Sequence, residues 1–128
     1  MPKPRVLIVD DHADLRKLIS LSLGSGNYDL VEAMDGQGAL DVCERQPPDL
    51  VLLDLMLPGD FDGIEVCRRI RENSRLAHTR IVLLTAADQA AQRERAQEAG
   101  VDRYIPKPFS PRQLRELVES LLAGEDGA

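Results

Sequence analysis

Five polar residues stand where the chain could assemble a charged site: Asp10 and Asp11, Asp54, Thr85 and Lys107. Each lies at or shortly after the end of a short apolar run. Three carboxylates gathered in one partly buried place would repel one another by about 1 to 4 kcal/mol per pair at roughly 4 Å. A hard divalent cation would offset that repulsion, and Mg²⁺ suits a site that supplies few carboxylates and keeps several waters.

With the cation and Lys107 in place, Asp54 could act as a nucleophile toward phosphorus, because carboxylates form aspartyl-phosphates. Phosphoryl transfer requires mainly positioning and neutralisation of charge on the equatorial oxygens. Mg²⁺ would neutralise charge on one phosphoryl oxygen, and Lys107 would do so on a second. The Thr85 hydroxyl and the Ala86 backbone N–H would donate hydrogen bonds to the third. The predicted chemistry is phosphorylation of Asp54.

These residues meet only if the apolar runs are parallel strands, because the carboxyl ends of such strands line one edge of a sheet. Helical stretches separate the runs, which is typical of a parallel sheet with crossover helices. One run is continuously apolar and is expected in the sheet interior, namely Leu50–Leu53. The five predicted strands are Val6–Val9, Leu30–Ala33, Leu50–Leu53, Ile81–Leu84 and Arg103–Ile105.

Apolar spacing predicts the helices at both ends of the chain. In the first helix, the spacing of four apolar residues indicates one buried face, and Gly24 is the expected stop. These residues are Leu15, Leu18, Ile19 and Leu23. In the last helix, apolar residues recur from Leu114 to Leu122. Ser110, Pro111 and Gln113 offer an N-cap, an N1 proline and a capping-box partner, and Gly124 is the expected end.

The segment from Gln89 to Ala99 differs from the other predicted helices. Its alanines stand among charged residues and leave little apolar area to bury. We therefore expect this helix to be loosely held and able to move.

Composition limits the classes of function. A chain of 128 residues fits one domain. A net charge of -6 and an aromatic content of 3% argue against nucleic-acid binding. No apolar run approaches the roughly 20 residues of a membrane helix, and no signal peptide is recognised. Cys43 and Cys67, in apparently helical segments, are expected to be buried free thiols, which suits a cytoplasmic location.

Four motifs in order resemble the receiver domain of two-component response regulators, of the kind found in chemotaxis. The resemblance covers roughly residues 4 to 123, so 1–123 are assigned to this domain and 124–128 to a short tail or linker start. It implies a flavodoxin-like, doubly wound α/β fold with five helices and strand order 2-1-3-4-5. The motifs are Val6–Asp11, Leu53–Pro58 with Asp62-Gly63 beyond, Leu84–Ala86 and Tyr104–Phe109.

The resemblance also implies roles for single residues. Asp11 and Asp54 would ligate Mg²⁺ through their side chains, Met56 through its backbone carbonyl, and Asp10 mostly through a metal-bound water. Lys107 would contact the phosphoryl group and precede a cis peptide bond to Pro108.

Thr85 and Tyr104 would form the switch pair, and Met56 and Ala87 would influence the lifetime of the phosphate. The implied phosphodonor is a sensor histidine kinase or a histidine phosphotransfer protein. The implied receiver of the signal is a downstream protein or a fused output domain. This domain itself is expected to contact neither nucleic acid nor membrane, given its composition.

The chain departs from the family pattern in one loop. Gly59, Asp60 and Phe61 make the stretch between Pro58 and Asp62 one residue longer than usual. The additional charge of Asp60 is expected to point to solvent.

Several residues have plainer interpretations. The aspartates could be helix caps, and Tyr104 a half-buried packing residue. His12 is expected to begin the first helix, exposed, rather than to bind metal. Gly63 and Gly100 are most simply turn or C-cap residues.

Two other functions remain open. A haloacid-dehalogenase-like phosphohydrolase would place a second aspartate two residues after the first, where this chain has Met56. A pseudo-receiver would bind partners without phosphorylation, against which the intact Asp54, Thr85 and Lys107 count. As a receiver, the chain would not be an enzyme in the ordinary sense, catalysing only its own phosphorylation and dephosphorylation.

Overall fold

A computed structural model of the protein describes residues 3–24, 27–86 and 91–124. Its centre is one sheet of five parallel strands in the order β2-β1-β3-β4-β5, which confirms the predicted order and direction. The central strand β3 is buried along its whole length, as its continuous apolar run predicted. The strands are β1 (Arg5–Val9), β2 (Asp29–Ala33), β3 (Leu50–Asp54), β4 (Arg80–Ala86) and β5 (Arg103–Lys107).

Three strands extend further than the apolar runs indicated. Asp54, Thr85 and Lys107 were expected just beyond the strands, but they lie inside β3, β4 and β5. Parallel pairing continues through them: Asp54 pairs with Leu84, and Ala86 pairs with Lys107. Backbone hydrogen bonding does not depend on side-chain polarity, and therefore the sheet itself holds these polar residues.

Helices cover both faces of the sheet. They are α1 (Ala13–Leu23), α2 (Gly36–Arg45), α3 (Gly63–Arg71), α4 (Arg93–Ala99) and α5 (Pro111–Leu122), with a short 3₁₀ turn at Ser74–Leu76. Cys43 and Cys67 lie in α2 and α3, and both are buried free thiols, as predicted. Among the described residues, no helix is long and apolar enough to cross a bilayer.

The strands alternate their side chains between two hydrophobic clusters. In β1, Leu7 and Val9 face one cluster, while Val6 and Ile8 face the other. The first cluster contains residues of α2, α3 and α4, and the second contains residues of α1 and α5. This two-residue period is the geometry of a strand that is buried on both faces.

The first helix buries a narrower face than its spacing predicted. Ile19 and Leu23 are buried and Leu15 packs against the second cluster, but Leu18 is 45% exposed. Leu18 precedes Ile19 by about 100° around the helix, which places it beyond the edge of the buried stripe. Gly24 ends the helix as predicted, with a φ of 77°.

The last helix begins as its sequence predicted. Ser110 accepts a hydrogen bond from the backbone N–H of Gln113, the Gln113 side chain accepts one from the backbone N–H of Ser110, and Pro111 is the first helical residue. Leu114, Val118 and Leu121 are buried. The helix ends at Leu122, and Gly124 follows in a left-handed conformation.

The fourth helix is short, and its buried residues are Ala96 and Ala99. Its predicted start at Gln89 lies outside the described residues. Its carboxyl end is well held: the Cys67 thiol donates to the carbonyl of Ala99 at 3.3 Å, and Arg71 Nε donates to the carbonyl of Gly100 at 3.0 Å. Gly100 is the C-cap, with a left-handed φ of 99°, as predicted for it.

Arg71 also joins the beginnings of two strands. Its Nη1 donates to the carbonyl of Thr79 and its Nη2 to Asp102 Oδ2, both at 2.8 Å. The same Asp102 oxygen accepts the backbone N–H of Ile81 at 2.7 Å. Arg71 therefore ties α3, α4, β4 and the residue before β5 together at the amino-terminal edge of the sheet.

Candidate functional site

The opposite edge of the sheet brings together most of the predicted site residues. Asp10 follows β1 with no exposed surface, and Asp54 ends β3 with 4% exposed. Lys107 Nζ, at the end of β5, lies 3.3 Å from Asp10 Oδ2 and 3.2 Å from Asp54 Oδ1. One ammonium group therefore bridges two buried carboxylates that are far apart in the sequence.

The environment of Asp54 disfavours its charged form. Burial raises the pKa of this carboxyl, the positive charge of Lys107 opposes the rise, and the negative charge of Asp10 adds to it. Asp54 Oδ1 also accepts the backbone N–H of Met56 at 3.3 Å. The net pKa shift is upward, because the compensating contacts do not fully replace the lost hydration.

Asp10 shows the opposite result. Burial alone would raise its pKa, but the backbone hydrogen bond from His12 and the charge of Lys107 outweigh burial, and the pKa is lowered. The His12 backbone N–H lies 2.7 Å from Asp10 Oδ1. Asp10 is therefore not the N-cap of α1, which is His12; its carboxylate accepts the backbone N–H of His12 and also faces Lys107.

Asp11 lies at the mouth of the site, with its side chain partly exposed. His12 Nδ1 is 3.1 Å from both Asp11 Oδ1 and Asp10 Oδ1. Ligand atoms of these three residues lie within 4.8 Å of one another and could hold a metal ion. Asp54 is not in this group; it is joined to Asp10 through the shared contact with Lys107 Nζ. His12 is the N-cap of α1 and is exposed, as expected.

The loop after Asp54 accommodates its additional residue at the surface. Asp60 is exposed, as expected, and Gly59 has a left-handed φ of 89°. Phe61 packs against the first cluster, with the Arg69 guanidinium 4.1 Å from its ring centroid. The Met56 side chain is 64% exposed rather than part of the core.

Thr85 is buried in β4, and Tyr104 lies in the neighbouring strand β5. The Tyr104 hydroxyl donates to the carbonyl of Arg93 at 2.8 Å, at the first residue of α4, and burial raises the pKa of this hydroxyl. Its ring also packs against the first cluster. Tyr104 thus has the predicted packing role and a direct bond to α4. Ala86 ends β4 beside Lys107; Ala87 lies outside the described residues.

The prediction for Gly63 as a turn or C-cap residue was wrong. Gly63 is the first residue of α3, after Asp62, whose side chain caps the helix by accepting the Glu65 N–H at 2.8 Å. A Cβ atom on Gly63 would collide with the backbone carbonyl oxygen of Asp54. The sequence did carry a signal for this, because an aspartate N-cap followed by glycine places that glycine at N1.

The Lys107–Pro108 peptide bond is cis, as the resemblance implied. Phe109, the next residue, packs against the second cluster. Lys107 is the last residue of β5.

Comparison with known proteins agrees with this geometry. A family model for the response regulator receiver domain matches residues 6–119. The transcriptional regulatory protein ResD of Bacillus subtilis is 47% identical over 118 residues, which are 92% of this chain and 48% of that protein. The DNA-binding dual master transcriptional regulator RpaA of Synechocystis is 37% identical over 96% of this chain and 51% of its own length. The chain thus spans about half the length of the curated relatives it matches.

Solved structures show the same fold. The chemotaxis response regulator CheY4 of Vibrio cholerae aligns with a TM-score of 0.86 and 26% identity, covering 93% of this chain and 98% of that one. The receiver domain of NtrX from Brucella abortus aligns with a TM-score of 0.84 and 27% identity, covering 92% and 98%. Fold, strand order, motif order and family match therefore agree, and the chain belongs to the response regulator receiver domain family of two-component signalling.

Proposed function

We propose that Asp54 is the phosphoacceptor of this receiver domain. The observation that carries the proposal is a buried carboxylate at the end of the central strand, joined to Asp10 through the Lys107 ammonium. The phosphodonor is a phosphohistidine on a sensor histidine kinase or a histidine phosphotransfer protein. An Asp54 carboxylate oxygen bonds to phosphorus while the bond from phosphorus to the imidazole nitrogen breaks, and the imidazole leaves with its electron pair.

Residues around Asp54 would stabilise the transferred group. Lys107 is already within 3.2 Å of an Asp54 oxygen and can shift its charge to a phosphoryl oxygen. The Thr85 hydroxyl and the Ala86 backbone N–H, at the end of the adjacent strand, would bind other phosphoryl oxygens. Transfer of this kind relies on positioning and charge neutralisation, which the rigid sheet edge favours.

Mg²⁺ fits the site as its cofactor. Lys107 contacts the carboxylates of Asp10 and Asp54, and Asp11 lies beside Asp10, so three carboxylates with one ammonium leave an excess of negative charge and a set of hard oxygen donors. The proposed ligands are the side chains of Asp11 and Asp54, the carbonyl of Met56, and Asp10 through water. When bound, the ion neutralises charge on the phosphoryl oxygens.

Thr85 and Tyr104 are the proposed switch pair. The Tyr104 hydroxyl holds the first residue of α4 through the Arg93 carbonyl. If the Thr85 hydroxyl moves toward the phosphoryl group and the Tyr104 ring turns inward, that bond is lost and the surface around α4 changes. A shift from 1:99 to 99:1 in favour of the active state requires about 5.5 kcal/mol.

The changed surface would act on a downstream protein or on an output domain fused to this one. Relatives about twice as long are transcriptional regulators, which favours an output of that type. We propose that residues 1–123 form the receiver and 124–128 begin a linker or tail. The domain itself would not contact DNA, given its net charge of -6. The two buried, unpaired thiols favour the reducing cytoplasm as its working compartment.

Acetyl phosphate tests the proposal directly. The chain is incubated with acetyl phosphate and Mg²⁺, and its intact mass is measured. We expect a gain of one phosphoryl group in the wild type and in Asp60→Asn, a matched change at an exposed aspartate of the same loop. Asp54→Asn should gain nothing. An equal gain in Asp54→Asn, or none in the wild type, would contradict the proposal.

A second assay concerns turnover. A receiver should hydrolyse only its own phosphoaspartate, so we expect no release of product from p-nitrophenyl phosphate. Sustained, Asp54-dependent turnover of that compound would instead indicate a phosphohydrolase.

A further inference from the structure

We infer that Arg16 is a positioning residue, which holds the Asp10–Asp11 peptide in the orientation required for binding the divalent cation. The inference rests on the proposed function, because it assigns to Arg16 a role in the same metal site. Arg16 is not proposed as a ligand; it would act through the backbone of the ligands.

The Arg16 side chain is unusually well held for a residue on an outer helix, with only 16% exposed. Its Nη1 donates to the backbone carbonyl of Asp10 at 2.6 Å, and its Nε donates to Glu32 Oε1 at 2.8 Å. One guanidinium group therefore connects α1, the end of β1 and the strand β2.

This contact completes the restraint on the Asp10 backbone. The Asp10 N–H donates to the carbonyl of Ala33 at 3.2 Å, at the end of β2. Its carbonyl accepts from Arg16, and Arg16 is anchored in turn by Glu32, which pairs with Ile8 of β1. Both polar groups of the Asp10 backbone are thus held from β2.

Fixing the Asp10 carbonyl also directs Asp11. A peptide unit is planar, so the carbonyl of Asp10 and the N–Cα bond of Asp11 turn together. Asp11 lies at the surface, where packing contributes little to its orientation. Arg16 therefore restrains the backbone from which the Asp11 side chain projects, while His12 Nδ1 contacts the Asp11 carboxylate itself.

Metal affinity should be sensitive to that direction. Mg²⁺ requires nearly ideal octahedral geometry, and partners that orient its ligands typically contribute about 10- to 100-fold in affinity. The planar fork of arginine binds two acceptors at once, whereas lysine presents a point charge and cannot reproduce both bonds.

The test is a Mg²⁺ titration of the unphosphorylated chain, followed by amide chemical shifts in NMR spectra. We expect Arg16→Gln to weaken Mg²⁺ binding by about tenfold or more, and Arg16→Lys to fall between it and the wild type. Arg5→Gln is the matched control. Arg5 Nε binds Asp29 Oδ2 at 2.9 Å between the same two strands, but at their opposite ends, so its loss should leave Mg²⁺ affinity unchanged.

A second readout separates positioning from general stability. In the acetyl phosphate reaction, the half-saturating Mg²⁺ concentration should rise in Arg16→Gln, while the rate at saturating Mg²⁺ stays near that of the wild type. A purely structural role would lower the melting temperature without moving the half-saturating concentration. If Arg16→Gln does not fold, Arg16→Lys and Glu32→Gln carry the same test and should each weaken Mg²⁺ binding.

The inference is overturned if folded Arg16 variants bind Mg²⁺ within about twofold of the wild type, or if Arg5→Gln weakens binding as much. Its failure can be distinguished from failure of the proposed function. Mg²⁺ binding is measured without a phosphodonor, so a wild type that binds Mg²⁺ but gains no phosphate overturns only the phosphoacceptor role of Asp54.

Discussion

Asp54 carries its charge where the fold disfavours charge. Burial and the neighbouring Asp10 both raise its pKa, and Lys107 compensates only in part. Because the folded chain binds this proton more tightly than the unfolded chain, ionised Asp54 lowers stability once the pH exceeds its folded pKa. That penalty disappears as the pH falls below the unfolded value.

We therefore expect Asp54→Asn to be more stable than the wild type at neutral pH, by about 0.5 to 2 kcal/mol. Urea unfolding, followed by circular dichroism, measures the difference. The gain should vanish below the ordinary aspartate pKa of 3.8. Asp60→Asn, in the same loop but exposed, should change the free energy of unfolding by less than about 0.5 kcal/mol. A destabilised Asp54→Asn at neutral pH would contradict this account of the charge.

Elements, rather than single residues, bring the site together, and the elements were largely predictable. Apolar runs gave five strands, and β3 lies in the sheet interior because its run is continuous. The ends of β3, β4 and β5 were missed, since runs of apolar side chains report burial and not backbone pairing. The role of Arg16 and the close approach of Gly63 to Asp54 were missed because both depend on contacts between elements that no local pattern encodes.

The start of α3 lies so close to β3 that it leaves no room for a side chain. At Gly63, an added Cβ atom would collide with the Asp54 carbonyl. We expect Gly63→Ala to destabilise the fold by about 1 to 3 kcal/mol, as overpacking does. It should also slow phosphorylation by acetyl phosphate, because the strain acts on the backbone of the acceptor residue. Both effects are measured on one purified variant.

Gly59→Ala is the matched control in the same loop. Gly59 has a left-handed φ of 89°, but no atom would contact its added Cβ within 4 Å. The substitution should lower the free energy of unfolding by about 1 to 2 kcal/mol, because alanine disfavours this backbone conformation. The phosphorylation rate of the folded fraction should be unchanged. Equal phosphorylation rates in the two variants would show that the approach of α3 to Asp54 does not matter for the reaction.

At the scale of the whole molecule, the sheet separates two hydrophobic clusters, and both cysteines belong to the one shared by α2, α3 and α4. Burial raises the pKa of Cys43 and of Cys67 to about 11. At neutral pH both are therefore protonated as well as inaccessible. Their reactivity should report opening of this cluster, because the thiolate is the reactive form.

We expect the native chain to react with 5,5′-dithiobis(2-nitrobenzoic acid) far more slowly than the chain in urea, where two thiols per molecule should be titrated. Absorbance of the released thiolate gives the rate. Cys43→Ala should leave one reactive thiol in urea and a slow reaction in buffer. Rapid modification of both thiols in buffer would mean that this cluster opens readily without global unfolding.

Arg71 has a consequence for how the two edges of the sheet can respond to a signal. At the amino-terminal edge, this one side chain binds the carbonyls of Thr79 and Gly100 and the carboxylate of Asp102. The carboxyl end of α4 is anchored there, while its amino end is held through the Tyr104 hydroxyl. Three contacts of Arg71 therefore fix one end of α4 and a single hydroxyl fixes the other, and we expect a disturbance at the phosphoacceptor to displace the amino end while the carboxyl end stays in place.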